Sequence, residues 1–172
     1  LYYFVDDLKE RIVRQADGKN GDVRNIKNRE DLEAASYIML APRVGKGQQL
    51  YDNISSYREE ILDMITDTLQ RRIIGSNLST DVPPRATLGK NWQEYMFENM
   101  PVAAAVTLLT KLQNDIRYAE GEVLHTLVKN IDIGDLRVNE VNAYVIPSSQ
   151  TIVRGGKFSA RIILAAVDST QK

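Results

Sequence analysis

Residues 99–130 read NMPVAAAVTLLTKLQNDIRYAEGEVLHTLVKN, and this stretch decides the fold. Val102, Val106, Leu109, Leu112, Ile116, Ala119, Val123 and Leu127 recur at steps of three and four, the repeat of one helix face. Asn99 is placed to cap the start, and Pro101 falls near the first turn, where a missing N–H is harmless. At about 1.5 Å per residue the helix would be roughly 48 Å long. A stripe of that length is buried only against other long helices, so the expectation is an elongated bundle. Gly121 lies inside the pattern and costs about 1 kcal/mol against Ala; it is read as a close helix contact or a slight bend.

Upstream, the sequence supplies the partners. Phe4, Val5, Leu8, Ile12 and Ala16 have helical spacing, and Asp17-Gly18 ends that run. Gly18 to Lys27 is polar and reads as a loop. Asn28 with Asp31 at the third position predicts a helix start, continuing through Leu32, Ala35, Ile38 and Met39 to a stop at Pro42. A single long helix is expected from about Gly47 to Ile74, with a narrow seam of Leu50, Ile54, Tyr57, Ile61 and Met64. Residues 75–90 contain Pro83-Pro84 and read as non-helical. Asn91 with Glu94 forms a second capping-box pattern, opening a short helix that carries Trp92, Tyr95 and Phe97.

Downstream, the character changes after Ile131-Asp132-Ile133-Gly134-Asp135. Val138, Val141, Tyr144, Val145, Ile146, Ile152, Val153, Phe158, Ile162, Ile163, Leu164 and Val167 are mostly β-branched or aromatic. Phe158, Ala160, Ile162 and Leu164 alternate as a half-buried strand does, and Pro147-Ser148-Ser149 and Gly155-Gly156 are turn signals. The predicted fold class is therefore mainly α: an elongated helical bundle over residues 1–131, then the first strands of an Ig-like β-sandwich over 132–172. Two or three strands cannot bury an inner face alone, so the rest of the sheet must come from further chain or another subunit. Exposed edges there predict self-association through residues 136–172. Asp132 to Leu136, with Gly134, is read as a flexible connector. Leu1 opens directly inside a helix and Lys172 follows a strand-like run, so the chain is read as a fragment of a longer protein.

Composition narrows the function. The 172 residues are 43% hydrophobic and 26% charged, which is globular. Net charge is −1, with no basic stripe, which argues against nucleic acid as a partner. Cysteine is absent and there is one histidine, so thiolate sites, a Cys nucleophile and a multi-His metal site are excluded. The longest apolar stretch, Met100 to Leu112, is too short and too interrupted for a membrane span.

The remaining candidates read as architecture. His125 lies near the back of the stripe and is expected at the surface. Gly45-Lys46-Gly47 lacks the spacing and the preceding strand of a phosphate loop, and reads as a helix start. Glu59, Asp63 and Asp67 would share a solvated face, with Asp67 free to pair with Arg71. Trp92, Tyr95 and Phe97 read as an anchor holding a connector on the bundle. No catalytic, cofactor-binding or metal-ligating residue is assigned.

A resemblance adds to this reading. Met100-Pro-Val-Ala-Ala-Ala-Val-Thr-Leu-Leu-Thr-Lys-Leu-Gln-Asn-Asp-Ile-Arg-Tyr-Ala-Glu-Gly-Glu-Val-Leu, then Ala143-Tyr-Val-Ile-Pro-Ser-Ser-Gln-Thr-Ile-Val-Arg-Gly-Gly-Lys-Phe-Ser-Ala, resembles the GldM/PorM family. Gly45-Lys-Gly-Gln-Gln-Leu and Tyr57-Arg-Glu-Glu-Ile fit it upstream. The resemblance covers most of the chain and lies in long segments, not in a catalytic motif. It implies a non-enzymatic, periplasmic, homodimeric shaft of the type IX secretion and gliding machinery of Bacteroidetes. It further implies an N-terminal membrane helix outside this chain that anchors the shaft in the inner membrane and meets a GldL/PorL partner. Distal domains, also outside it, would reach the GldK/GldN or PorK/PorN ring. The pair would convert the proton gradient into motion of the outer complex. No cofactor is implied, and no functional residue carries over by matching. The runner-up is a periplasmic ligand-sensing bundle of a receptor; the continuation into strands counts against it.

Overall fold

The computed structural model describes residues 1–83, 89–134, 140–148, 151 and 154–167, with only the backbone described for 130–134, 140–142 and 165–167. Pro84, Asp135, Leu136, Val138, Ser149, Ile152 and Val153, all used in the sequence reading, lie outside the described residues, as do the side chains of Val141 and Val167. The order is α1 (Tyr2–Asp17), α2 (Glu33–Leu40), α3 (Gly47–Met64), α4 (Thr68–Asn77), α5 (Trp92–Phe97), α6 (Val102–Gly134), β1 (Glu140–Pro147) and β2 (Ala160–Val167). The chain is mainly helical, and the strands form one antiparallel hairpin, so the class expected from the sequence is the one observed. Two compact units divide it, Leu1–Thr126 and Leu127–Lys172.

In the first unit, α1 buries Val5, Leu8, Ile12 and Val13 and ends at Gly18, whose φ of 85° suits glycine. The start of α2 differs from the expectation. Asn28 does not cap it: its side-chain amide donates to Ala16 O at 2.7 Å, and its backbone N–H donates to Asp17 Oδ1 at 2.8 Å. Asp31 takes the capping role instead, its Oδ1 accepting from the N–H groups of Glu33 and Ala34. The end of α1 is therefore fastened to the loop that opens α2. Asp17 also accepts from Lys27 N–H, and these two backbone donors hold its carboxyl below the ordinary carboxylate range.

The single helix expected over 47–74 is two helices. Asp67 adopts an extended conformation and its side chain accepts from Gln70 N–H at 2.9 Å, starting α4 after a break at Ile65. Gly75, read as the start of a non-helical stretch, lies inside α4. Arg71 does not pair with Asp67. It donates to Leu62 O and Ile65 O at the end of α3, while Arg58 of α3 donates to Gly75 O in the last turn of α4. Each helix thus supplies a cation to the other's unpaired C-terminal carbonyls. The seam holds at Leu50, Ile54 and Ile61, with Tyr57 partly buried; Met64 is exposed and Ile65 takes its core position.

The short helix α5 carries the predicted capping box, with Asn91 Oδ1 accepting from Glu94 N–H and Glu94 Oε2 from Asn91 N–H, both at 2.9 Å. The long helix α6 runs 33 residues, about 50 Å. Val102, Val106, Leu109, Ile116, Ala119 and Val123 are buried along it, Leu112 partly, and Leu127 is exposed, which ends the stripe one position early. Asn99 is not its N-terminal cap. Asn99 has φ 53° and donates its N–H to Ser36 Oγ. The first free N–H groups of α6, on Val102 and Ala103, donate to Asp31 O and Arg29 O at 3.0 Å. A Cβ at Gly121 would meet nothing within 4 Å, so no close helix contact requires that glycine. Helix α6 continues through residues 132–134, the first part of the segment read as a connector.

In the second unit, β1 and β2 pair from Glu140↔Val167 to Pro147↔Ala160, and Ser148 N–H extends the ladder to Ser159 O. Every described side chain of residues 143–148 and 154–164 is exposed.

Candidate functional site

The motifs with a chemical look resolve into structure. Gly45 N–H donates to Ala41 O and Lys46 N–H to Ile38 O, so these donors are spent on carbonyls and not aimed at an anion. A Cβ at Gly45 would come within 2.7 Å of Met39 O, and one at Gly47 within 2.7 Å of Gln93 Cβ. The two glycines allow α2, the turn, the start of α3 and α5 to pass close together. Glu59 and Asp63 are exposed as expected, while Asp67 caps α4 and leaves that face. His125 is at the surface, its side chain 73% exposed and 4.0 Å from Glu122. Among the described residues no cluster of three or more potential metal ligands occurs.

Trp92, Tyr95 and Phe97 have divided roles. Trp92 and Phe97 are buried and meet edge to face, and Tyr51 of α3 meets Trp92 edge-on as well, so they do anchor α5 on the bundle. Tyr95 is 39% exposed and takes no part in this anchor. The anchors also wall a partly open, mainly apolar pocket of about 140 Å³ lined from α3, the end of α4, α5 and α6, with Leu50, Ile54, Leu78 and Leu109 among its walls. Asn77, Ser79 and the Lys111–Asp115 ion pair stand among its lining residues. The volume suits a small apolar molecule, of the size that an engineered cavity of about 150 Å³ admits.

The most polar buried feature was absent from the sequence reading. Lys9 of α1 is 8% exposed and Gln113 of α6 is 4% exposed. Lys9 Nζ donates to Gln113 Oε1 at 2.5 Å and lies 3.1 Å from Asp6 Oδ1. Gln113 Nε2 donates to Tyr2 O at 3.3 Å and to Asp6 Oδ1 at 3.2 Å. Hydrogen bonds from Lys9 first, then Gln113, draw the Asp6 carboxyl below its ordinary range. Beside the cluster the Arg117 guanidinium sits 4.2 Å above the Tyr2 ring. The signal was in the spacing: Lys9 lies four residues from both Val5 and Val13, and Gln113 four from Leu109 and three from Ile116, which places both on apolar rows. From α3, Tyr57 OH donates to Ile116 O at 3.3 Å, and burial, with Glu120 adding to it, pushes its pKa up to about 12.

A helical unit with its own buried core and an antiparallel β hairpin later in the chain define the class: a helical domain followed in sequence by the opening of a β domain. Residues 1–130 match the GldM N-terminal domain and residues 132–172 the GldM second domain. The chain belongs to the GldM family, a component of the gliding-motility and type IX secretion machinery that works in a complex with other components. Its members are structural parts of that machinery, membrane-anchored and periplasmic, and are not a known enzyme family. No curated protein matches the chain. Among the described residues no helix is long and apolar enough to cross a membrane.

Proposed function

We propose that this chain is the non-enzymatic periplasmic part of an inner-membrane-anchored motor subunit, passing force or conformational change toward the outer-membrane complex. The division we place is a helical domain over 1–131 and an Ig-like β domain from 132. The observation that carries the reading is α6, an unbroken helix from Val102 to Gly134, buried along its first two thirds and crossing from the first matched region into the second. A continuous helix resists bending and extension far better than a loop, so displacement at the bundle is handed on without being absorbed. In this reading the subunit is a homodimer, its membrane helix meets a GldL/PorL-type protein, and its distal domains meet a GldK/GldN- or PorK/PorN-type ring.

The test interrupts α6 in the full-length protein. A Gly-Ser-Gly-Ser insertion between Lys129 and Asn130 leaves the bundle core untouched. Type IX secretion is expected to fail while the protein accumulates and the bundle melts normally. Normal secretion with the interrupted helix would sink the reading.

One observation favours the second reading, a ligand-sensing bundle: the apolar cavity beside Trp92. Trp92 is the sole tryptophan, so small aromatic or aliphatic probes entering the cavity would change its emission directly. A saturable change that Leu109→Phe abolishes by filling the space would support sensing; no change up to the solubility limit would remove it.

A further inference from the structure

We infer that Asp6, Lys9 and Gln113 form a key that fixes α1 in one axial register against α6; its use in load transfer rests on the function proposed above. Buried aliphatic residues stand about one turn to either side of each polar group on its own helix: Val5 and Val13 about Lys9, Leu109 and Ile116 about Gln113. A slide of one helical turn, about 5.4 Å, would again set Leu, Ile and Val against one another. Dispersion and burial alone therefore discriminate weakly between neighbouring registers.

The polar cluster discriminates strongly, because its contacts are directional and all close together. The Gln113 carboxamide uses its oxygen on Lys9 and its nitrogen on Tyr2 O and Asp6. Among the described residues no buried side-chain nitrogen or oxygen lacks a partner. One turn away, the ammonium and the carboxamide would face aliphatic side chains, and a buried donor without a partner costs far more than its hydrogen bond gains. Apolar residues of similar length at both positions would avoid desolvating the ammonium. What the cluster adds is thus a single register, in the way one buried polar residue sets the register of a coiled coil. An axial pull on α1 is then passed to α6 at Gln113 and not lost in sliding.

The experiment uses the absence of native cysteine. Spin labels go on the exposed positions Arg14 and Asn114, as Arg14→Cys and Asn114→Cys in the 172-residue chain. The parent should give one narrow interhelix distance. Lys9→Met with Gln113→Leu should melt at the same or a higher temperature and show a broadened distribution or a second population displaced by about 5 Å. Gln113→Leu alone should melt lower than the double variant, since it leaves the buried ammonium with Asp6 as its one remaining partner of the cluster. An unchanged narrow distance in the double variant overturns the inference. So does loss of cooperative folding in it, or a single variant as stable as the double. In the full-length protein, a slipped register with loss of secretion supports load transfer through the key. A slipped register with normal secretion leaves the key standing and removes the force-transmission reading.

Discussion

The helical unit and the hairpin spend the same kinds of side chain to opposite ends. Val5, Leu8 and Ile12 have no exposed surface, whereas Ile162 and Leu164 remain 68% and 71% exposed and Tyr144 54%. In both units the backbone is paired, by helix or by ladder. Pairing satisfies N–H and C=O groups but does not remove side chains from water; only a second layer does that. The helical unit contains its own second layer. The hairpin has none within the described residues, which is the situation anticipated for the opening strands of a larger sheet.

Substitutions can break this contrast. Leu109→Ala empties a fully packed position of α6 beside the cavity and should cost roughly 2–5 kcal/mol in a denaturant melt of the helical unit. A cost below about 0.5 kcal/mol would mean that the stripe is not the core.

Asn91→Ala removes half of a reciprocal cap and should cost about 1 kcal/mol, read in the same melt with Trp92 emission following α5. Wild-type stability would show that the aromatic anchors alone fix α5.

Alkali offers a third probe. Tyr57 stays protonated in the folded chain to about 12, against 10.0 ordinarily. The unfolded chain therefore loses its proton first as pH rises, so the stability due to this group is intact below pH 10 and declines from there toward 12. Because the ring is only partly buried, we expect a loss of about 1 kcal/mol, which Tyr57→Phe should abolish. An identical alkaline decline in Tyr57→Phe would assign it to other groups.

The smallest effect belongs to the hairpin. Leu164→Ala should change the stability of this chain by less than about 0.5 kcal/mol. A loss comparable to that of Leu109→Ala would show that something covers the face of β2 in solution, and light scattering would then report whether it is a second copy.

Where the sequence reading succeeded, the determinants were local. Helix α1, the Asn91–Glu94 box and most of the α6 stripe follow from spacing over a few residues. It failed where two local signals competed and a distant contact chose between them. Asn28 was read as the cap with Asp31 as its partner, but Asp17 and Ala16 engage Asn28 and Asp31 itself does the capping. The break before Thr68 was partly legible, since Asp67 followed three residues later by Gln70 is itself a capping pattern. The apolar steps through Ile61 and Met64 concealed it, and Arg71 folding back on Leu62 O could not be seen from spacing. The sequence put Lys9 and Gln113 on apolar rows, but their pairing across 104 positions is a property of the tertiary fold.

The borrowed cap on α6 has a consequence for the order of assembly. Val102 and Ala103 donate to carbonyls of Asp31 and Arg29, more than seventy positions earlier, in a loop that Asn28 ties to the end of α1. The first turn of α6 thus has no local means of satisfying these donors and must wait for the chain's two ends of the bundle to meet. The middle of α6 needs no such partner, because each N–H there is satisfied four residues back within the helix. Its beginning is completed late, and the exchange rates of the Val102 and Ala103 amides are a direct clock for the closing of the bundle.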